Sequence, residues 1–356
     1  MILLGGMKMK TTIKDIAKAA GVSQTTVSFV LNDHSKTISE ATKIKVRRAV
    51  EELNYQPNHA AISLVTRKTK TIGLIIPNIG NPFFAELALS IEECVSKQGY
   101  NLILCNTNER YQKDIDYLKL LSARRVDGLL IAISPTKDKE EETKIIDTIN
   151  HLDLPVVAID RWLTGMNCNR VSIDHRLGAQ LATNYLINLG HRQIATITGP
   201  LSVYTGRRRL TGFKEALEAH SIPVNEKLII EGDYSFNSGY QSGLKVLKEH
   251  PTAVFVANDM MAFGLLKAAK EMNISIPNDL SIVGFDNLLM SSLIEPQLTT
   301  INQPIDELGE KVCEMLFDLI KGSHEITEDI KLKPNLVIRS TTKKENKENS
   351  DENVLN

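Results

Sequence analysis

Along the 356-residue chain the rhythm of hydrophobic and polar positions changes once, near residue 70. Before that point apolar residues recur at helical spacing. Ile13, Ile16, Ala17 and Ala20 line one face of a short helix, with Asp15 in its first turn, where a carboxylate suits the helix dipole. Gly21 ends that helix, as a residue without Cβ does well. Ser23 can cap a second helix, Gln24–Leu31, with Val27, Val30 and Leu31 inward. A third runs from about Glu40 to Leu53. Ile44, Ala49, Val50 and Leu53 are expected to face in, and Lys43, Lys45, Arg47 and Arg48 out, before Tyr55-Gln56-Pro57 stops it. Two short helices across a glycine turn predict a helix-turn-helix.

From Thr71 short apolar runs alternate with amphipathic stretches. The runs predict strands at Thr71–Ile76, Tyr100–Cys105, Gly128–Ile133, Pro155–Ile159, Gln193–Thr198, Ala253–Val256 and Leu280–Gly284, with a short extended segment at Leu298–Ile301. Helices are expected near 82–98, 112–124, 140–150, 175–189, 206–220, 237–249, 258–272 and 304–321. This alternation implies parallel sheets with helices on both faces, and the strand number implies two lobes.

Composition adds exclusions. With 42% apolar and 24% charged residues the chain reads as an ordinary globular protein. No run of eighteen apolar residues offers a membrane span, and the leading MILLGG lacks the charge and length of a secretory signal. Cys94, Cys105, Cys168 and Cys313 never form CxxC, which fits a reducing cytoplasm and gives no metal site. No phosphate-binding glycine motif occurs, so no cofactor is expected. His191 reads as a helix-end residue and Cys105 as core, so no enzyme is expected.

Charge is uneven. Residues 1–70 carry twelve Lys/Arg against five Asp/Glu, a surplus of +7 on a chain of net −1, which leaves −8 for the rest. A basic head on an acidic body is what phosphate contact requires, although a solvated basic face has the same signature. In a helix-turn-helix the second helix meets the major groove. Gln24 can pair with adenine and Thr25 can touch a thymine methyl. Thr26, Ser28 and Asn32 suit phosphate.

In open parallel sheets ligands sit at the carboxyl ends of strands. Those ends carry Asn81, Phe83, Phe84, Ser134, Asp160, Arg161, Thr205, Arg209, Tyr234, Asn258, Asp286 and Gln303. Carboxylates, amides and guanidinium groups bridge neighbouring hydroxyls, and aromatic rings cover the C–H faces of a sugar.

The segments TIKDIAKAAGVSQTTVSFVLN and EELNYQPNHAAISL resemble the headpiece of the lactose-repressor/galactose-repressor (LacI/GalR) family of bacterial transcription regulators. The likeness continues through TKTIGLIIPNIGNPFF, DGLLI, IDR, TGRRRLTGF, VFVANDMMAFG, SIVGFDN and LTTINQP, over roughly residues 11–340, and Met9-Lys10-Thr11 is similar to the usual start. It implies an all-α helix-turn-helix headpiece joined by a hinge helix to an α/β two-lobe periplasmic-binding-protein-like core with parallel sheets. The implied domains are 10–57 for the headpiece and 58–70 for the hinge and linker. The N-terminal lobe takes 71–161 with 290–324, the C-terminal lobe 162–289 with 325–340, and 341–356 is a disordered tail.

The resemblance further implies a dimer on palindromic double-stranded operator DNA, located in the cytoplasm at the nucleoid. It adds Thr12, Ser23 and Phe29 to the DNA set, with Asn58, Ala61 and Leu64 in the hinge, where Leu64 wedges into the minor groove. Two positions depart from the family: Phe29 replaces a frequent Arg, and Ile62 does so in the hinge. The effector positions resemble the pentose site of ribose-binding proteins and, among regulators, ribose operon repressors. On that likeness Asp160 and Arg161 grip ring hydroxyls, Arg209, Asn258 and Asp286 hold the opposite edge, and Phe84 and Tyr234 sandwich the ring; Pro77 departs. D-ribose or a related pentose is the expected effector, with another sugar, a purine or a phosphoprotein corepressor as alternatives. A solute-binding transport protein, and a sugar-modifying enzyme fused to a headpiece, are the rival functions.

Overall fold

The computed structural model describes residues 11–31, 38–55, 68–322 and 328–345. The chain divides into two compact units, Met1–Thr69 and Lys70–Asn356.

In the first unit α1 (Ile13–Ala20), α2 (Gln24–Leu31) and α3 (Glu40–Glu52) form a small bundle. The N–H and hydroxyl of Thr12 donate to Asp15 at 2.9 and 2.7 Å, closing the α1 N-terminus and holding the Asp15 carboxyl below its usual range. Gly21 takes the left-handed conformation (φ +67°) that ends α1. Ser23 caps α2 by accepting from Thr26 N–H at 3.0 Å. Ile16, Ala17, Ala20, Val27, Val30, Val46 and Ala49 make the core. The inward face of α3 differs from expectation. Val46, Ala49 and Val50 point in, while Ile44 is 64% exposed and Leu53 39% exposed. The stripe follows the 3.6-residue period from Val46, and Ile44 lies about 200° away from it.

The second unit contains two six-stranded sheets. β1 (Thr71–Ile76), β2 (Asn101–Asn106), β3 (Gly128–Ile131), β4 (Val156–Ile159), β5 (Asn169–Ile173) and β11 (Asp329–Leu332) form the first, in the order β2-β1-β3-β4-β5-β11. All its pairings are parallel. Alternation sets its two faces. Ile72, Leu74 and Ile76 pack with α4 (Pro82–Lys97) and α11 (Ile305–Ile320), whereas Ile75 packs with α5 (Tyr111–Ala123) and α6 (Lys139–Asn150).

The second sheet runs β7-β6-β8-β9-β10-β12: β6 (Ile194–Thr198), β7 (Ile229–Glu231), β8 (Ala253–Val256), β9 (Ser281–Asp286), β10 (Thr299–Asn302) and β12 (Asn335–Val337). Only β12 is antiparallel among these described strands. α9 (Phe236–Val246) and α10 (Asp259–Glu271) cover one face; α7 (His175–Asn188) and α8 (Tyr204–Ala219) cover the other.

The chain crosses between lobes three times, after β5, β10 and β11. This corrects the expected lobe limits. The first lobe continues beyond residue 161 through β5 and recovers β11 from within 325–340, while β10, inside 290–324, belongs to the second lobe. β5 and β11 are strands whose Asn169, Arg170, Asp329 and Lys331 interrupt the apolar run that marks a buried strand. The expected tail is also corrected over 341–345. Thr341 is buried, its hydroxyl donates to Ile282 O at 2.7 Å, and Glu345 N–H reaches Leu189 O at 2.9 Å. His191 closes the helix end through its backbone, its N–H reaching Leu186 O at 3.3 Å, but its buried ring turns elsewhere, to the Thr252 and Ser281 hydroxyls and Lys343 O at 3.0–3.1 Å. Residues 346–356 lie outside the described residues. Among the described residues no helix is long and apolar enough to cross a membrane, and no group of three or more His, Cys, Asp or Glu could hold a metal ion.

Candidate functional site

On the first unit, α2 presents Gln24, Thr25 and Phe29 to solvent; Phe29 is 44% exposed although apolar. Thr25 and Phe29 are one helical turn apart and share a face. Ser23 and Thr26 are half committed to each other, their hydroxyls 2.9 Å apart, and Ser28 is partly buried. Thr12 is engaged with Asp15. On α3, exposed Arg48 pairs with Glu52, and Lys43, whose side chain is only 17% exposed, pairs with Glu40; such contacts contribute little to stability. Asn32, Asn58, Ala61 and Leu64 lie outside the described residues.

In the second unit, Asn81, Phe83, Phe84, Asp160, Arg161, Thr205, Arg209, Tyr234, Asn258, Asp286 and Gln303 surround one tight cavity of about 20 Å³. They come from strand ends and helix starts of both lobes. Asp160, Tyr234 and Asp286 hold positive φ values of +59°, +70° and +127°, a conformation costly for a side-chain-bearing residue and concentrated at binding sites. Ser134 is the exception. It does not line the cavity, and its N–H and hydroxyl donate to buried Asp114 at 2.9 and 3.1 Å. Burial pushes the Asp114 carboxyl up to about 7 despite those bonds.

The first lobe supplies Asp160 and Arg161 from the end of β4. Arg161 Nη1 donates to Glu109 at 3.1 Å, and its guanidinium lies 5.0 Å from the Phe84 ring centre and 5.5 Å from that of Tyr234. The second lobe supplies Arg209, whose guanidinium stacks 3.7 Å from the Phe285 ring centre and donates to Ala257 O. Arg209 stands 4.0 Å from Asp286, and Gln303 Nε2 donates to that carboxylate at 2.6 Å. Burial raises the Asp286 carboxyl well above its ordinary value; Arg209 opposes this and Asp259 adds to it. Tyr234 is seated by Thr205, hydroxyl to hydroxyl at 2.9 Å, and by Asn258, whose Nδ2 donates to Tyr234 O at 3.0 Å.

Sequence reasoning missed His175. Its ring joins Asp160 at 2.8 Å to Arg209 at 3.2 Å, and a single His at a helix start carries no pattern to reveal this. Burial pushes the imidazole down, while His175, Arg161 and Arg209 outweigh burial and keep the Asp160 carboxyl low. Two buried polar atoms of residues lining the cavity, Arg161 Nε and Gln303 Oε1, have no hydrogen-bond partner among the described residues.

Comparison with known proteins places both units. Residues 12–58 match the model of "Bacterial regulatory proteins, lacI family", and residues 183–342 match a periplasmic binding protein-like domain. The repressor PurR of Vibrio parahaemolyticus is 38% identical over 94% of this chain and 99% of its own. PurR of Edwardsiella ictaluri is 41% identical over 92% and 96%. The lac repressor dimer bound to operator and the anti-inducer ONPF superposes with a TM-score of 0.85 at 31% identity, covering 94% of this chain and 99% of that one. A LacI-family regulator of Enterococcus faecium with bound ribose gives 0.70 at 34% identity, covering 78% and 100%. These relatives are DNA-binding regulators rather than enzymes, and the chain belongs to the LacI family of bacterial transcriptional repressors.

Proposed function

We propose that the chain is a cytoplasmic, homodimeric repressor whose grip on a palindromic operator is released when a pentose, D-ribose foremost, enters the cleft of the second unit. Gln24, Thr25 and Phe29 read the half-site, Phe29 by apolar contact with a thymine methyl. The sugar favours one conformation over the other, and that difference in affinity couples cleft to DNA.

The observation that carries the effector reading is the pair of buried, unpartnered atoms, Arg161 Nε and Gln303 Oε1. One donates and the other accepts, which is what a ring of hydroxyls satisfies. The Asp160 carboxylate adds an acceptor beside Arg161, and Phe84 and Tyr234 offer two ring faces. The ribose-bound regulator at 34% identity supports the same choice. A purine effector is the second reading, favoured by the PurR relatives at 36–41% identity.

Thermal unfolding with D-ribose and hypoxanthine in parallel separates the two. A ligand at a hundred times its Kd adds about 2.7 kcal/mol. At about 2–4 °C per kcal/mol that raises the midpoint by about 5–10 °C. A rise with D-ribose alone upholds the pentose; a rise with hypoxanthine alone replaces it with the purine.

A further inference from the structure

His175 does not line the cavity, yet it is 1% exposed and stands between two residues that do. Its Nε2 lies 2.8 Å from Asp160 Oδ1, at the end of β4 in the first lobe. Its Nδ1 lies 3.2 Å from Nη2 and 3.4 Å from Nε of Arg209, in α8 of the second lobe. A guanidinium can only donate. Nδ1 must therefore accept, and the single ring proton sits on Nε2, donated to Asp160. Only the neutral Nε2–H tautomer satisfies both neighbours, because a doubly protonated ring would aim an N–H at a cation. The charged groups around the ring are Asp160 from β4, Arg209 from α8 and Asp174 on the preceding turn, with Asp286 of β9 reaching it through Arg209.

We propose that His175 is a positioning residue for the effector: it ties Asp160 of the first lobe to Arg209 of the second and so sets how tightly the closed cleft holds its ligand. This rests on the pentose reading of the cleft. Without the ring, each of the two groups that meet opposite edges of the sugar loses a partner that fixes its direction. Acid weakens the link as well, since the protonated ring can no longer accept from Arg209.

Two substitutions divide the roles. His175→Gln keeps an N–H donor for Asp160 but offers Arg209 no acceptor. His175→Asn keeps an acceptor near Nδ1 but offers Asp160 no donor. D-ribose is titrated calorimetrically into the full-length wild type and both variants between pH 5 and 8, and the wild-type ring nitrogens are read by ¹⁵N NMR. Each variant is expected to bind D-ribose about tenfold more weakly or worse while retaining operator binding, since hydrogen bonds to charged groups are the stronger kind. Wild-type affinity falls on acidification, and both variants lose the part of that fall that belongs to the ring, keeping only what Asp286 contributes. Wild-type affinity in both variants, or an Nδ1–H ring, overturns the proposal. If one variant fails to fold, the other variant, the pH profile and the ring shifts decide. A wild type that ignores D-ribose while its ring reports Nε2–H overturns the pentose reading and upholds the His175 bridge.

Discussion

Replacing Arg209 with Met isolates the electrostatics of the cleft from its packing. The Met side chain keeps apolar volume against Phe285 and Tyr234, but removes the bonds to Ala257 O and His175 and the cation 4.0 Å from Asp286. Asp286 is 4% exposed and then has only Gln303 to satisfy it. Removing one partner of a buried pair costs about 3–5 kcal/mol, or about 6–20 °C in the unfolding midpoint at about 2–4 °C per kcal/mol. The pH dependence has a definite sign. Asp286 already titrates well above its ordinary value, so the folded state binds that proton more tightly than the unfolded chain does. Such a group stabilises the fold in acid, and the contribution is lost as pH rises through the folded pKa. Arg209→Met raises that pKa further. The loss is therefore greater at pH 8 than at pH 5, since acid protonates the unpaired carboxyl. Calorimetric unfolding of wild type and variant at both pH values, with and without D-ribose, reads all of this. An unchanged midpoint at pH 8, or a larger loss at pH 5, refutes the buried-pair argument. A variant that still shifts with the sugar removes Arg209 from the binding set.

Three further outcomes are expected. Asp114, pushed up to about 7 by burial, draws wild-type stability down as pH climbs from about 4 to 8; Asp114→Asn flattens that slope in urea unfolding, and a slope left unchanged counts against it. A Cβ on Gly199 would lie 2.1 Å from the Tyr234 ring, so Gly199→Ala displaces the ring and weakens effector binding about tenfold or more without deleting any polar contact; calorimetry checks it. Gln24→Ala relaxes base preference at one half-site position by about 1–3 kcal/mol in a binding-site selection, and an unaltered preference removes Gln24 from base readout.

The sequence made the central strands plain because each is a buried apolar run: Thr71–Ile76 and Ala253–Val256 stand at their expected limits. β5, β7, β11 and β12 escaped because they are short or carry polar residues, and with them went the lobe limits. The cavity wall was legible because strand ends of a parallel sheet converge, and Asp160, Arg209 and Asp286 meet there. Ser134 follows the same rule by position but is captured by Asp114, a partner twenty residues away that no local pattern announces. His175 and the Ala257 carbonyl were illegible for the same reason: their work is to hold another side chain, and such partners are chosen by tertiary packing.

The measurement that bears most directly on the central claim is fluorescence anisotropy of the full-length protein on a palindromic duplex selected from a random pool, titrated with D-ribose. The sugar is expected to lower anisotropy by releasing the duplex, and Arg209→Met to bind the duplex without releasing it. Anisotropy indifferent to D-ribose, with hypoxanthine tightening the complex instead, would contradict the claim.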